Sequence, residues 1–372
     1  MTPANTAIHQ NQGTAPSAAP AIRVMIVDDS LVARRVLQRI LEEDGRFAVV
    51  GCHSGANDAI AALSTTPCDI ILLDLEMPGR SGVDSLPEML ATGRDAKVVI
   101  LSGHHAEDGS VAIAALATGA RDVMTKPVAG HFGPAFAAAL ADRLRAIFTG
   151  QDRVAWTGEP TAPRVTALPG IAYAPRAVGI GASTGGIHAL TAFLVALDQA
   201  PAAQIPAPIF VTQHLPADFL PFFAEQLRRL GRMPVHIAEE GMPILAGNLY
   251  VAPGQAHLTV VRHPNHRIVI RLSRASSRHG AFPAVDPMLA SLAQVYGEKT
   301  CGLIFSGMGR DGLAGAEAIV CAGGSVVAQD SATSVVWGMP GAVADAGLAC
   351  LVTSPERAAK SLLEIWKEAG PS

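Results

Sequence analysis

From residue 22 onward the chain alternates short, continuous apolar runs with longer amphipathic ones. The pattern predicts strands at Ile22 to Val27, Phe47 to Cys52, Ile70 to Leu73, Val98 to Leu101 and around Val123-Met124. Between and after them it predicts helices over Ser30 to Glu43, Asn57 to Ser64, about Gly109 to Gly119, and Phe132 to Phe148. Strands that are apolar at every position suit burial on both faces. Five strand–helix units in series therefore predict a doubly wound parallel sheet. The alternation stops over residues 149–175, where Pro160, Pro163, Pro169 and Pro175 cluster with Gly150, Gly158 and Gly170 as in a linker.

The alternation restarts at residue 176. Strands are predicted at Ala177 to Ile180, Pro208 to Thr212, Val235 to Ala238, Leu249 to Ala252, His257 to Arg262 and Arg267 to Leu272, the last two as a hairpin about Pro264-Asn265. Further strands follow at Gly302 to Phe305, Ser325 to Ala328 and Leu348 to Val352, with helices ending at Leu197, Leu230, Tyr296 and Ala322. The fold class expected is α/β, two parallel-sheet domains, the second with an antiparallel insertion. Residues 1–21 read as a disordered lead, 22–148 as the first domain, 149–175 as linker and 176–369 as the second domain.

Composition narrows the function. With 28 Lys and Arg against 32 Asp and Glu, the formal charge is −4, so no basic surplus drives binding to nucleic acid or an anionic membrane. The five cysteines form no C-x-x-C pair and no zinc spacing. They read as reduced, buried thiols of a cytoplasmic protein. The lead has neither basic start nor apolar core, unlike a signal peptide. Ala177 to Leu197 lacks charge but is glycine-rich at its start, which favours strand, turn and helix over membrane insertion.

In the first half, Asp28 and Asp29 follow the first strand, Asp74 ends the third, Ser102 ends the fourth and Lys126 follows the fifth. Ligands of doubly wound sheets bind at the carboxyl ends of the strands, so these side chains converge. Grouped carboxylates call for a hard cation with oxygen ligands such as Mg²⁺. A carboxylate beside a lysine and a hydroxyl suits a phosphoryl acceptor. On Val27-Asp28-Asp29-Ser30, Leu73-Asp74-Leu75-Glu76-Met77-Pro78-Gly79 and Thr125-Lys126-Pro127, residues 22–148 resemble a response-regulator receiver domain, a flavodoxin-like fold. The resemblance implies Asp74 as phosphoacceptor. It implies Asp28, Asp29, Asp74 and the carbonyl of Glu76 as Mg²⁺ ligands, Ser102 as switch hydroxyl and Lys126 as phosphoryl contact. The position three before the lysine, usually aromatic in that family, is Val123.

In the second half, Gly181-Ala182-Ser183-Thr184-Gly185-Gly186 joins a strand to a helix, which exposes a serine at a sheet edge beside helix-opening amides. Gly179-x-Gly181 is also a partial dinucleotide fingerprint. That reading wants an acidic residue after the next strand, which ends in Gln213-His214 instead. His214 and Asp311 both follow predicted strands and supply the base and the orienting carboxylate that a serine hydroxyl needs. With Gln213-His214-Leu215-Pro216, Gly307-Met308-Gly309-Arg310-Asp311-Gly312 and, more loosely, Val285-Asp286, residues 176–369 resemble the CheB catalytic domain, a protein-glutamate methylesterase and glutamine deamidase with a Rossmann-like sheet.

The combined resemblance implies a phosphorylation-activated serine hydrolase that removes γ-methyl esters from glutamates, and can deamidate glutamines, on the cytoplasmic helices of methyl-accepting chemotaxis receptors. It implies Ser183 as nucleophile, His214 as base and acid, Asp311 as orienting carboxylate, and Thr184, Gly185 and Met308 as oxyanion candidates. A histidine kinase would be the phosphodonor. Mg²⁺ would serve the receiver only, and the free receiver would cover the esterase site. The alternative from the same residues is a phospho-regulated adaptor or phosphate sink without esterase activity.

Overall fold

The computed structural model describes residues 20–103, 106–127, 132–151, 170–199 and 205–370, and of 106–108 the backbone alone. Most of the predicted lead and the central part of the predicted linker lie outside the described residues.

The first half runs β1 (Ile22–Val27), α1 (Leu31–Asp44), β2 (Phe47–His53), α2 (Ala56–Leu63), β3 (Ile70–Asp74), α3 (Gly82–Thr92), β4 (Lys97–Ser102), α4 (Ala106–Thr118), β5 (Asp122–Thr125) and α5 (Pro134–Thr149). All strands pair in parallel in the order β2-β1-β3-β4-β5. Every residue of β3 is buried, as a central strand covered by helices on both faces demands. Ser30 caps α1 by accepting from the Ala33 amide. The pattern did not mark α3, because Pro87 lies inside it and interrupts helical reading. Burial of Leu86 and Met89 against the sheet holds it.

The second half runs β6 (Ala177–Ala182), α6 (Gly186–Leu197), β7 (Ile209–Gln213), α7 (Leu220–Arg229), β8 (Val235–Ile237), β9 (Leu249–Val251), β10 (His257–Arg262), β11 (Ile268–Ser273), α8 (Val285–Tyr296), β12 (Thr300–Ile304), α9 (Leu313–Cys321), β13 (Ser325–Gln329), α10 (Met339–Asp345), β14 (Leu351–Thr353) and α11 (Pro355–Ala369). Seven strands form one parallel sheet in the order β14-β13-β12-β6-β7-β9-β8. The antiparallel insertion is the β10–β11 hairpin alone, since β8 and β9 join the main sheet. The last strand starts at Leu351 rather than Leu348. Helices α10 and α11, which the pattern did not mark, close this half. Trp366 of α11 donates its indole N–H to the Pro175 carbonyl at 2.9 Å, tying the helix to the entry of β6.

Both sheets have a point where chain order reverses: between β1 and β3 in the first, and between β6 and β12 in the second. Crevices at such points are where α/β sheets bind ligands. Glycines 179 and 181 serve packing instead of a dinucleotide. A methyl on Gly179 would come within 2.6 Å of Leu289, and one on Gly181 would strike Val285, so both let α8 lie directly on β6.

The two halves pack on each other. The apolar cluster of α4 is continuous with that of α6 and α7. Gly109 of α4 approaches α7 so closely that a methyl there would fall 2.6 Å from the Phe222 ring. All five cysteines are free. Cys301 is buried as expected, whereas Cys52 and Cys321 are exposed. Among the described residues no helix is long and apolar enough to cross a membrane. The charge-free stretch 177–197 is β6, a turn and α6.

Candidate active site

Ser183 sits on the turn between β6 and α6. Its amide donates to the Ser306 carbonyl at 3.0 Å, and Gln213 donates from its side-chain amide to the Ser183 carbonyl at 2.8 Å. The turn closes through Gly185, whose φ of 78° is the left-handed conformation that glycine adopts without strain. A side chain on Gly186 would collide with Gln213. The pattern of glycines and the Gln before His214 are thus one device that fixes the serine. Ser306 adds a hydroxyl donated to the Thr184 carbonyl at 2.7 Å. Gln213 and Ser306 were missed as working residues because neither type signals chemistry by itself.

His214 follows β7 and Asp311 follows β12. Imidazole Nε2 and Asp311 Oδ2 are 2.8 Å apart. A carboxylate only accepts, so Nε2 carries the proton and Nδ1 is left as the basic nitrogen. Asp311 is 3% exposed and accepts three further bonds, from the amides of Val285 at 2.7 Å, Asp286 at 3.0 Å and Gly312 at 3.0 Å. Burial pushes this carboxyl up, but the His214 imidazole and the Val285 and Asp286 amides outweigh it and hold the group below the usual carboxylate range.

Ser183, His214 and Asp311 line one cavity of about 630 Å³. Among the described residues the Ser183 hydroxyl has no hydrogen-bond partner. Ligand-free sites commonly leave this bond open until substrate binds. Met308 lines the same cavity. The amides of Thr184, Gly185 and Met308 donate to no described protein group, whereas those of Ser183 and Gly186 are used. That leaves the three oxyanion candidates free to serve.

The first half forms the other wall of this cavity, with Val123, Met124, Thr125, Phe136 and Arg143. Val123, where an aromatic was the family habit, faces the esterase-side cavity. Asp122 at the start of β5 accepts from the Thr184 hydroxyl at 3.0 Å, one residue from Ser183, and pairs with Arg143 at 2.9 Å. Burial drives the Asp122 carboxyl up, opposed by Arg143 and by bonds from Val123 and Thr184. One turn further along α6, His188 lies 2.8 Å from the Ala120 carbonyl. Burial lowers its pKa, so the neutral ring donates there. Asp122 was invisible in the sequence, since its partners come from the other half.

The second site lies at the carboxyl end of the first sheet. Ligand atoms of Asp28, Asp29 and Asp74 lie within 4.8 Å of one another. Lys126 Nζ bridges Asp28 and Asp74 at 2.7 Å each. Asp74 is 5% exposed. Burial pushes its carboxyl up, Lys126 opposes this and the Asp28 charge adds to it. Glu76 shares the cavity, and its amide lies 3.4 Å from Asp74 Oδ1. Ser102 stands one residue past Leu101, the neighbour of Asp74 across the sheet, and its buried hydroxyl has no partner among the described residues. An all-oxygen carboxylate set of this spacing fits a hard divalent cation.

Fold and sites together define a two-part enzyme: a carboxylic ester hydrolase on one parallel sheet, packed against a phosphoacceptor-type sheet. A family profile described as CheB methylesterase matches residues 178–362, and one described as response regulator receiver domain matches residues 24–131. The chain is 35% identical over 360 residues to protein-glutamate methylesterase/protein-glutamine glutaminase 1 of Paramagnetospirillum magneticum, covering 90% of this chain and 93% of that protein. It is 38% identical over 334 residues to protein-glutamate methylesterase/protein-glutamine glutaminase 2 of Caulobacter vibrioides, covering 88% and 94%. The solved catalytic domain of Thermotoga maritima CheB methylesterase covers 51% of this chain and 98% of its own, at 35% identity and a TM-score of 0.49. The chain belongs to the CheB family of receiver-linked protein-glutamate methylesterases.

Proposed function

We propose that this protein hydrolyses γ-methyl esters of glutamate on the cytoplasmic helices of chemoreceptors, under control of phosphorylation at Asp74. The single observation that carries this reading is the His214–Asp311 pair in one cavity with Ser183, walled by the receiver. His214 Nδ1 takes the proton of the Ser183 hydroxyl, whose oxygen attacks the ester carbonyl. Amides among Thr184, Gly185 and Met308 hold the oxyanion. The imidazole returns the proton to the leaving methoxide, releasing methanol. Water, deprotonated by His214, then cleaves the acyl-serine and frees glutamate. With glutamine in place of the ester, ammonia leaves and the product is again glutamate.

Asp28, Asp29, Asp74 and the Glu76 carbonyl would hold Mg²⁺, which when bound offsets negative charge during phosphoryl transfer to Asp74. Lys126, and the Ser102 hydroxyl that has no partner among the described residues, would contact the phosphoryl oxygens. A histidine kinase of the same pathway is the proposed donor, and the cytoplasm the proposed site of action. An adaptor without chemistry has no observation in its favour.

In the unphosphorylated chain the receiver blocks the substrate's path, and the Asp122–Thr184 bond ties it to the nucleophile turn. Methanol release from methylated receptor membranes should rise on adding a small-molecule phosphodonor, and Asp74→Ala should keep the basal rate while losing the rise. No response to the donor in the unmodified protein would remove the regulatory claim. Asp122→Ala removes the acceptor of the Thr184 hydroxyl, the bond that crosses between the two halves. Losing a buried hydrogen bond to a charged group shifts a two-state equilibrium by about 1–3 kcal/mol, or roughly 5–150-fold. The basal rate without donor should therefore rise about tenfold. An unchanged basal rate would show that this bond does not hold the closed state.

A further inference from the structure

We propose that Asp286 is a positioning residue of the esterase, holding Asp311 in place through a reciprocal pair of helix caps; this rests on the esterase reading. Helices α8 and α9 begin at residues that offer no side-chain cap, Ala284 and Gly312. Each helix start leaves amides without intrahelical partners. Here each set is taken by an aspartate from the other helix's start. Asp311 accepts from Val285 and Asp286, the first residues of α8. Asp286 Oδ1 accepts from Gly312 at 2.9 Å and Gly315 at 2.8 Å, at the start of α9.

The consequence for the site follows from chain connectivity. Gly312 is the residue after Asp311, so the Asp286 cap fixes the peptide that carries the orienting carboxylate. Asp311 in return fixes the turn that carries Asp286. The close approach this needs is built in: a methyl on Gly315 would fall 2.6 Å from Leu289 and 3.2 Å from the Asp286 backbone. Electrostatics alone disfavours the arrangement. Burial pushes the Asp286 carboxyl up, and the nearby Asp311 charge adds to that, against bonds from Gly315 and Gly312 and the charge of His279, whose Nε2 is 3.9 Å away. A second carboxylate kept beside the first under those conditions has a geometric task. Without it α9 can shift, and a displacement of an ångström at a catalytic group costs on the order of 10²-fold in rate.

The test compares Asp286→Ala and Asp286→Asn in the full chain. Asp286→Ala is expected to lower kcat on methylated receptor membranes about 10- to 100-fold with KM nearly unchanged. It should also remove the low-field NMR resonance of the His214 Nε2 proton. Asp286→Asn keeps an oxygen for the Gly312 and Gly315 amides, and should restore both kcat, to within about threefold of the parent, and the resonance. Two results overturn the proposal. One is Asp286→Ala with parental kcat and resonance and only a lower Tm, which is a purely structural cap. The other is Asp286→Asn as impaired as Asp286→Ala, which makes charge the cause. The resonance needs no turnover. If the unmodified protein released no methanol, the esterase reading would fall while the NMR comparison still decided the caps.

Discussion

Replacing Ser183 by alanine is expected to lower methanol release from methylated receptor membranes by on the order of 10⁵-fold or more, the usual cost of deleting a serine nucleophile. The change removes one oxygen. That hydroxyl has no described hydrogen-bond partner, and the turn is held by the Ser183 amide and carbonyl, which alanine retains. Stability should therefore move by less than about 0.5 kcal/mol, and the His214–Asp311 pair should persist. A loss of rate with Tm unchanged locates the deficit in chemistry. Activity within tenfold of the parent would place the nucleophile elsewhere and end the mechanism given above.

Asp311→Asn is expected to cost about 10⁴-fold in kcat, because an amide in place of the carboxylate no longer selects the tautomer with a basic nitrogen toward the serine. Unlike the serine change, it should also destabilise the fold. Both Asp311 oxygens accept two donors: Oδ2 from His214 and Val285, Oδ1 from Asp286 and Gly312. Asparagine turns an NH₂ toward one of these pairs, leaving buried N–H groups facing N–H groups, at about 1–3 kcal/mol for each group left unsatisfied. The native-state Asp311 carboxyl is held below its usual range, so its contribution is fully present above the unfolded value, about pH 4, and fades as pH falls through the lower native value. The Tm gap between parent and Asp311→Asn should be widest near neutrality and narrow in acid. A gap independent of pH would mean that the ionised carboxylate does not hold these amides together.

How far the sequence could be read depended on whether a residue's partners are local. Strand β3 was legible because a central parallel strand is apolar throughout. Helix α3 was not, since Pro87 interrupts its pattern and only burial of Leu86 and Met89 secures it. Helices α8 and α9 were placed, but that Asp286 and Asp311 each accept from the start of the other helix shows in no local stretch of the chain. The thiols of Cys52 and Cys321 lie exposed against expectation, for composition constrains the average cysteine and not its place on an element. Among functional residues, His214 and Asp311 could be proposed as strand-end residues in recognisable motifs. Asp122 could not, as it is an unremarkable acid at the start of a strand until Thr184 and Arg143 arrive from elsewhere.

By itself the sequence determined the alternation of strands and helices, the two glycine- and aspartate-rich sets of strand-end residues, and the family to which their motifs belong. These are properties of short segments, set by periodicity and by residue chemistry within a few positions of one another. Strand order was left to the tertiary structure, and with it the fact that each set opens onto a reversal point of its sheet. So were the crossing of two helix starts that locks Asp311, and the seating of the receiver through Asp122 and His188 over the serine. The physical reason is that these depend on contacts between residues 25 to 97 positions or more apart. Such contacts are selected by how whole elements pack and bury their polar groups, and no local window of the chain encodes that selection.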